Sequence, residues 1–341
     1  MSRAWKWLAG GVIAVVLGWS AWWVLGARGQ EAGLETWLDA QQARGWQAEA
    51  GSIAVSGYPL DFRIDVEDLA LADPNTGWAW SAPGWIAESR AYSPTRVAVS
   101  WPTEQVISTP EGRATVTSVR LASLVDLRPG QSMELREAAT EMDNLRIQGA
   151  NGWEARAAAV RMNVAERPED LGPVHAYDIR LTAQTLKLPQ QIVEQIDPTG
   201  WLRPSIDQLT VLGHAAFDDP LDRLTVEQGR MALRAATIRE AGFQWGDMRL
   251  VIKGAFEVDD AGYPVGDVRI EAEEWRQMIR LAVSSDVIDR GTAQQVTRAV
   301  EFVTALTGSG DKLSLSLGLS GGKLRIGPFA IADAPRVAPP R

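Results

Sequence analysis

The first hydrophobic segment of the chain runs from Trp7 to Ala27 and contains 21 consecutive residues without a charged side chain. At a rise of about 1.5 Å per residue, a helix of this length crosses the roughly 30 Å hydrocarbon core of a bilayer. Tryptophans crowd both ends of the segment, where indole rings prefer the headgroup layer. Because Arg3 and Lys6 precede the segment, the positive-inside tendency predicts a cytoplasmic N-terminus. We expect a single-pass inner-membrane anchor that places everything after Arg28 in the periplasm.

A cleaved signal peptide is the alternative interpretation, because signal peptides also begin with basic residues. However, Ala27, Arg28 and Gly29 match a small-residue cleavage site poorly. The apolar run also exceeds the roughly 7–15 residues of a typical signal-peptide core. We therefore favour the permanent anchor.

The next residues, Gln30 to Gly45, predict a helix. Leu34, Trp37 and Leu38 share one face of it, and Gly45 is placed to end it. Because this helix leads directly from the membrane, we expect it to act as a stalk or as a lid on the first strands.

Beyond Trp46 the hydrophobic period changes to two, which is typical of half-buried strands. In residues 62–67, apolar side chains alternate with charged ones. Leu69 and Leu71 continue the alternation on the opposite parity, so we expect a bulge near Asp68.

Further strands are predicted throughout the chain, mostly separated by short turns. Asn151-Gly152 lies between two strand-like segments and is a strong hairpin signal. Near the C-terminus, the leucines of residues 313–319 alternate with serine and glycine before the Gly321-Gly322 turn. Short helices are predicted at Pro189–Ile196, Glu274–Val283 and, from the capping-box pattern Thr292-x-x-Gln295 through Val296, Val300, Val303 and Leu306, at Thr292–Gly308.

These patterns predict a mainly β (α+β) fold: one transmembrane helix followed by curved, largely antiparallel sheets with a few short helices. We expect a cytoplasmic tip and anchor (1–28), an N-terminal β-rich half with the stalk helix (29–170) and a C-terminal β-rich half with two helices (171–333). A loose Pro-rich tail (334–341) follows. The Pro-, Gly- and acid-rich segment 167–173 is the candidate boundary, although it equally fits a loop within one continuous sheet.

Composition narrows the class of protein. The hydrophobic content of 45% supports a proper core, and the net charge of −9 becomes −11 once Arg3 and Lys6 are set aside with the anchor. Such an acidic exported body disfavours nucleic acid as a partner. The chain has no cysteine, which excludes disulfides, thiolate catalysis and cysteine metal sites.

The sequence contains no recognisable catalytic set. Its two histidines, His175 and His214, lie outside any metalloprotease or hydrolase motif. A phosphate-loop match fails because Leu317 stands where glycine is required, and a calcium-loop match fails because Val268 stands where glutamate is required. We therefore expect no enzyme activity, no cofactor and no metal site.

Two residue clusters have both a chemical and a structural interpretation. Asp61, Asp65, Glu67 and Asp68 could form an acid/base pair, but alternation places Asp65 and Glu67 on the wet face of a strand, which we favour. Tryptophans 78, 80, 85 and 101 could bind sugars or acyl chains, but they more commonly fill the core of a β domain.

Several short motifs make the chain resemble a known family. They are Gly45-Trp46, Ser56–Pro59, Phe62–Ile64, Ala72–Pro83, Trp245-Gly246 and Asp260–Gly266. Together with the N-terminal span, they resemble the uncharacterised family of alphaproteobacterial envelope proteins called domain of unknown function 2125 (DUF2125). The resemblance covers nearly the whole chain and supplies no catalytic residue. More loosely, the architecture resembles the AsmA-like envelope proteins, whose curved sheets form an apolar trough implicated in lipid movement.

We carry two hypotheses forward. The first is a membrane-tethered module that binds or handles lipid in an apolar trough, and the candidate trough residues are Phe62, Ile64, Leu69, Leu71, Leu315 and Leu317. The alternative for each of these residues is ordinary core. The second hypothesis is a structural or assembly protein of the envelope that acts through protein partners. Both hypotheses share membrane lipid as a partner, through the anchor.

Overall fold

The computed structural model describes residues 3–130, 132–169, 173, 175–198, 200–227, 231–285, 288–291, 293–294, 297–298, 300–301 and 311–339. The chain divides into two compact units: Met1–Asp126 with Gly149–Asn151, and Leu127–Gln148 with Gly152–Arg341. The candidate boundary at 167–173 therefore lies inside the second unit. Strands dominate both units and all their pairings within a unit are antiparallel, which confirms the predicted fold class.

Helix α1 (Arg3–Ala43) joins the predicted anchor and the predicted stalk without a break. From Gly10 onward it is long and apolar enough to cross a membrane, and its most apolar window has a mean hydropathy of 1.6. The helix ends as predicted at Gly45, which has a positive φ of 90°. The backbone N–H of Gly45 donates to the carbonyl oxygen of Gln42. The apolar segment and the first sheet are therefore connected by a rigid element.

The described residues of the first unit form eight strands. They are β1 (Gln47–Glu49), β2 (Ser52–Ser56), β3 (Asp61–Asp73), β4 (Trp78–Arg90), β5 (Ser93–Ser100), β6 (Glu104–Thr109), β7 (Gly112–Thr117) and β8 (Arg120–Leu127). Strands β3 and β4 form the centre of the sheet; β1 and β2 pair in succession along β3, and β5 and β6 along β4. Strands β8 and β7 then pair with β5 and β6.

The alternation of β3 changes parity at Asp68, which has a positive φ of 49°. The register with β4 is the same before and after this point, so no residue is inserted and the bulge predicted near Asp68 is wrong. Strand β4 changes parity with it, at Pro83-Gly84. Because directly opposed residues share a face, the paired change keeps both apolar rows on one side of the sheet.

The C-terminal half of α1 covers this apolar side. Leu34, Trp37 and Leu38 of the helix pack with the β-sheet residues Ala48 and Val66. The shared face predicted for this helix is therefore the face that packs. A second cluster joins residues 19, 23 and 27 of α1 to Phe62 and Ala91.

The described residues of the second unit form an antiparallel meander of ten strands. They are β9 (Leu135–Gly149), β10 (Glu154–Glu166), β11 (Ala176–Leu186), β12 (Ile206–Phe217), β13 (Leu233–Trp245), β14 (Met248–Val258), β15 (Pro264–Glu273), β16 (Lys312–Ser320), β17 (Lys323–Ile326) and β18 (Phe329–Asp333). Each strand pairs with the next along the chain. The predicted hairpins around Asn151-Gly152 and Gly321-Gly322 are both present.

Between strands of the meander lie the short helices α2 (Gln190–Ile196), α3 (Arg223–Glu227) and α4 (Trp275–Ser284). Helices α2 and α4 pack at one end of the strands, where Ile206, Trp245 and Met248 meet Leu281. Val300, in a helical stretch near α4, packs with Trp275. The other residues that define the helix predicted at Thr292–Gly308, including Thr292, Gln295, Val296, Val303 and Leu306, lie outside the described residues.

The C-terminal segment is attached to the second unit. The backbone N–H groups of Ala334 and Val337 donate to the carbonyl oxygens of Gly322 and Gly262, and Ala334 is buried. The guanidinium of Arg336 lies 5.1 Å from the centre of the Tyr263 ring.

Candidate functional site

The side chains of the ten-stranded meander are sorted by its register into two faces. Because directly opposed residues of an antiparallel pair point to the same side, each row of partners belongs to one face. One row crosses eight strands in the order Leu315, Ile270, Ile252, Ala241, Val211, Leu181, Met162 and Thr140. Only the last of these eight side chains is polar. We call this row and its two neighbours on the same side the apolar face.

The neighbouring rows have the same character. On one side the row reads Leu317, Val268, Gly254, Ile238, Gly213, Ile179, Val164 and Ala138; on the other it reads Leu313, Ala272, Leu250, Phe243, Leu209, Ala183, Val160 and Met142. Eight strands thus contribute three adjacent rows without a charged side chain.

The opposite face is polar. Its corresponding row reads Ser314, Glu271, Val251, Gly242, Thr210, Thr182, Arg161 and Glu141. Ion pairs cross its strands, such as Lys253–Glu271 at 2.9 Å and Arg161–Asp143 at 2.6 Å. Exposed pairs of this kind contribute roughly 0–1 kcal/mol each and mark a water-facing surface, within which Val251 and Thr210 are buried.

Among the described residues, helix α4 covers one end of the apolar face. Leu250, Ala272 and Leu313 pack with Trp275 of α4. None of the four core clusters formed by described residues includes a member of the Leu315 row. Within the described part of the chain the apolar members of this row are partly accessible, and Met162 is 43% exposed.

The predicted trough residues fall into two different environments. Phe62 and Leu69 are buried between α1 and the first sheet, and Ile64 and Leu71 pack partly buried beside Leu69. These four positions form helix-covered core in the first unit. Leu315 and Leu317 belong to the apolar face of the second unit, where Leu317 is buried and Leu315 is partly accessible.

Sequence reasoning missed most members of the apolar face, including Ile252, Ile270 and Val211. The alternation within each strand was visible, but the row that joins the strands depends on their order and register. The available clue was the uniform spacing of short alternating segments through the second half of the chain.

The carboxylates of β3 line the face directed away from α1. Arg63 contacts Asp65 at 3.0 Å and Glu88 at 2.8 Å, and Arg90 contacts Asp61 at 2.7 Å. Hydrogen bonding to Asp65 and Glu88 raises the pKa of the Arg63 guanidinium. Paired in this way, the carboxylates form part of an ordinary polar strand face, as the alternation predicts.

Three of the four clustered tryptophans pack together. The ring of Trp101 lies 6.1 Å from that of Trp80 and 6.4 Å from that of Trp85. The indole N–H of Trp101 donates to the Ser123 hydroxyl at 2.9 Å. Trp78 is 53% exposed. Because Trp80 and Trp85 also contact the α1-covered core, this cluster is structural packing.

His214 lies on the polar face of the meander. A guanidinium nitrogen of Arg167 is 2.8 Å from its Nδ1, which requires Nδ1 to accept and the ring to be neutral. Burial, and then the charge of Arg167, lower the pKa of His214. Among the described residues, no group of three or more histidine and acidic side chains is arranged to hold a metal ion.

A cleft of about 810 Å³ lies between α4 and the helical residues near Val300. Trp201, Arg280, Asp289 and Glu301 are among the residues that line it, and Arg280 lies 5.0 Å from the centre of the Trp201 ring. Its lining mixes both signs of charge with apolar side chains, which points to no single class of ligand.

Comparison with known proteins agrees with the resemblance found in the motifs. The family described as "Uncharacterized protein conserved in bacteria (DUF2125)" matches residues 23–335. No curated protein and no solved structure matches the chain. The looser resemblance to AsmA-like envelope proteins is not confirmed by these comparisons. Because the match covers both β-rich units, the chain belongs to the DUF2125 family.

Proposed function

We propose that this protein is a membrane-anchored envelope module that holds lipid acyl chains against the apolar face of its second unit, by binding rather than by catalysis. The observation that carries the proposal is the row from Leu315 to Met162. These seven apolar side chains lie opposite one another on seven adjacent strands. None of them belongs to a core cluster formed by described residues.

The energetics favour an apolar ligand that needs no polar recognition. Each methylene removed from water contributes about 0.8 kcal/mol, so ten buried methylenes contribute about 8 kcal/mol before the cost of ordering the ligand. At about 4.8 Å between strands, seven strands form a row roughly 29 Å across. A row of this length is long enough for an extended acyl chain to lie along it.

A membrane anchor would hold the apolar face close to the lipids of the membrane. We propose that α1 spans the inner membrane with its N-terminus in the cytoplasm and both β-rich units in the periplasm, because Arg3 and Lys6 precede the apolar run.

A cysteine introduced at Val119 tests this topology, since the chain has none of its own and Val119 is 73% exposed. A membrane-impermeant maleimide is expected to label it in cells with a permeabilised outer membrane. Labelling only after lysis would place the units in the cytoplasm.

Site-specific photo-crosslinking tests lipid binding. Benzoylphenylalanine replaces Ile270 in the full chain, and the matched control replaces Arg269, the preceding residue on the opposite face. After irradiation of cells, mass spectrometry is expected to find a lipid adduct at position 270 and none at position 269. A protein adduct at position 270 would instead favour the assembly hypothesis. Equal lipid adducts at both positions would count against a specific apolar site.

A further inference from the structure

Two loops at one end of the first sheet are tied to a short stretch of α1. The indole N–H groups of Trp19 and Trp23 each donate a 2.8 Å hydrogen bond, to the carbonyl oxygens of Pro59 and Asp61. The ring of Trp23 also meets the Tyr58 ring edge-on, with centroids 5.4 Å apart. The loop between β2 and β3 therefore lies alongside residues 19–23 of the helix.

The turn between β4 and β5 joins the same end. The indole N–H of Trp22 donates to the carbonyl oxygen of Ala91 at 3.4 Å. The backbone N–H of Ala91 donates to the carbonyl oxygen of Leu60 at 2.8 Å, and Ala91 is fully buried. We call residues 57–60 and 91–92 the tip loops.

The tip loops carry large apolar and aromatic side chains that the protein leaves exposed. Tyr58 is 52% exposed, Leu60 is 54% exposed and Tyr92 is 70% exposed. The charged side chains nearest to them, Asp61 and Arg90, form an ion pair of 2.7 Å. Aromatic rings with a polar tip and a paired charge are suited to the boundary between water and lipid.

The position of the tip loops along α1 determines how deep they would lie in a bilayer crossed by this helix. The uncharged run ends at Arg28, and Pro59 is bonded to Trp19, nine residues earlier. At about 1.5 Å per residue, the loop reaches roughly 13 Å below the level of Arg28 when the helix stands upright in the bilayer. The headgroup layer of one leaflet is only about 5–8 Å thick, so an upright helix carries the loop past the headgroups and into the upper part of the acyl chains.

Exposed apolar side chains on the side of α1 turned away from the sheet indicate that the bilayer extends at least to the level of the tip loops. Val24 is 41% exposed and Leu25 is 69% exposed, although both lie beyond the level of Trp19 and Trp23. If the bilayer ended below the tip loops, these side chains would lie in water. The free-energy cost would be about 25 cal/mol for each Å² of exposed apolar surface.

We propose that the tip loops insert through the headgroup layer into the upper acyl region of the same bilayer that α1 crosses, so that the first unit stands on the membrane surface. The occupant of this surface is phospholipid, because the surface is continuous with the membrane span. The inference rests on the proposed anchoring by α1. Since no linker separates the span from the sheet, the orientation of the first unit is fixed relative to the membrane.

Depth-dependent fluorescence quenching tests the inference on the full chain. Leu60→Cys and Tyr92→Cys carry an environment-sensitive fluorophore, in vesicles of phosphatidylethanolamine and phosphatidylglycerol that contain a lipid with a quencher near its headgroup. Val119→Cys is the matched control, because it is equally exposed and strand β5 separates its end of the sheet from Tyr92. Leu17→Cys, which is 63% exposed within the span, reports the anchoring itself.

We expect quenching at least about threefold stronger at positions 60 and 92 than at position 119, together with a blue-shifted emission. If position 17 is quenched but positions 60 and 92 behave like position 119, the tip loops do not touch the membrane and the inference fails while the anchoring stands. If position 17 is not quenched either, the anchoring and the inference both fail.

Discussion

The indole of Trp23 stacks on the ring of Phe62, with centroids 5.6 Å apart and planes inclined by 25°. One partner belongs to the apolar segment that we propose as the membrane span, and the other is the second residue of β3, a central strand of the first sheet. Phe62 is only 2% exposed, and its ring also lies against Gly26. The contact therefore couples the span directly to the sheet.

We expect Gly26→Ala to weaken the packing of α1 on the sheet. A Cβ at position 26 would lie 2.6 Å from Cζ of Phe62, whereas a Cβ at position 29 has nothing within 4 Å. Both substitutions gain about 1 kcal/mol of helix propensity, so their difference isolates the clash. Gly26→Ala should be less stable than Gly29→Ala by about 1–3 kcal/mol in thermal unfolding of the full chain in detergent micelles. Equal stability would show that the ring of Phe62 moves away freely.

We expect Tyr177→Phe to destabilise the second unit. The Tyr177 hydroxyl accepts a 2.9 Å hydrogen bond from the backbone N–H of Leu221, and burial raises the pKa of this phenol. The substitution leaves the partly buried N–H of Leu221 without its acceptor, at a cost of about 0.5–1.5 kcal/mol. Tyr263→Phe is the control, because its ring contact with Arg336 does not need the hydroxyl. The readout is the midpoint of denaturant unfolding, and an identical midpoint in both variants would contradict the assigned role.

His214 is expected to make stability fall on mild acidification. Because its pKa in the folded protein is lowered from the ordinary value of 6.5, the unfolded chain binds the proton first as the pH drops. Its contribution is therefore fully present above pH 6.5 and is lost as the pH falls from 6.5 through the lowered value. Arg167 and Arg239 oppose the charged form, while Asp178 favours it.

The test compares unfolding free energies at neutral pH and at a pH about one unit below 6.5. His214→Gln should lose less stability between the two conditions than the unsubstituted chain. Substitution of the other histidine supplies the control: His175 has a positive φ of 56°, which asparagine tolerates, so the pH dependence of His214→Gln is compared with that of His175→Asn. A pH dependence unchanged in His214→Gln would assign the acid sensitivity to other groups.

Leu315→Asp is expected to reduce lipid contact at the apolar face. Leu315 lies directly opposite Ile270, so a carboxylate there faces the photo-crosslinking position. Placing a charge on the apolar surface costs more than about 1.4 kcal/mol, so the lipid adduct at position 270 should fall at least about tenfold. Ser316→Asp, on the polar face opposite Arg269, should leave the adduct unchanged. A similar adduct yield in both variants would argue that lipid does not occupy this face.

The alternation of polar and apolar residues predicted individual elements well. The change of parity at Asp68, the end of α1 at Gly45 and the hairpin at Asn151-Gly152 are all local events, and each has its own residue-level cause. The anchor and the next helix appeared as two segments because Arg28 and Gly29 interrupt the apolar run. A charge and a glycine end an apolar pattern, yet a helix continues through both when its far end packs on a sheet.

The sequence by itself determined which residues seek burial: the apolar run from Trp7, and one side of nearly every strand, because side-chain periodicity follows from backbone geometry alone. It did not determine what would cover them. Phe62 and Leu315 have the same pattern in their strands, but α1 covers Phe62, whereas Leu315 joins a row of partners drawn from seven other strands. Strand order and helix placement are relationships between distant parts of the chain, so only the tertiary structure distinguished core from candidate lipid surface.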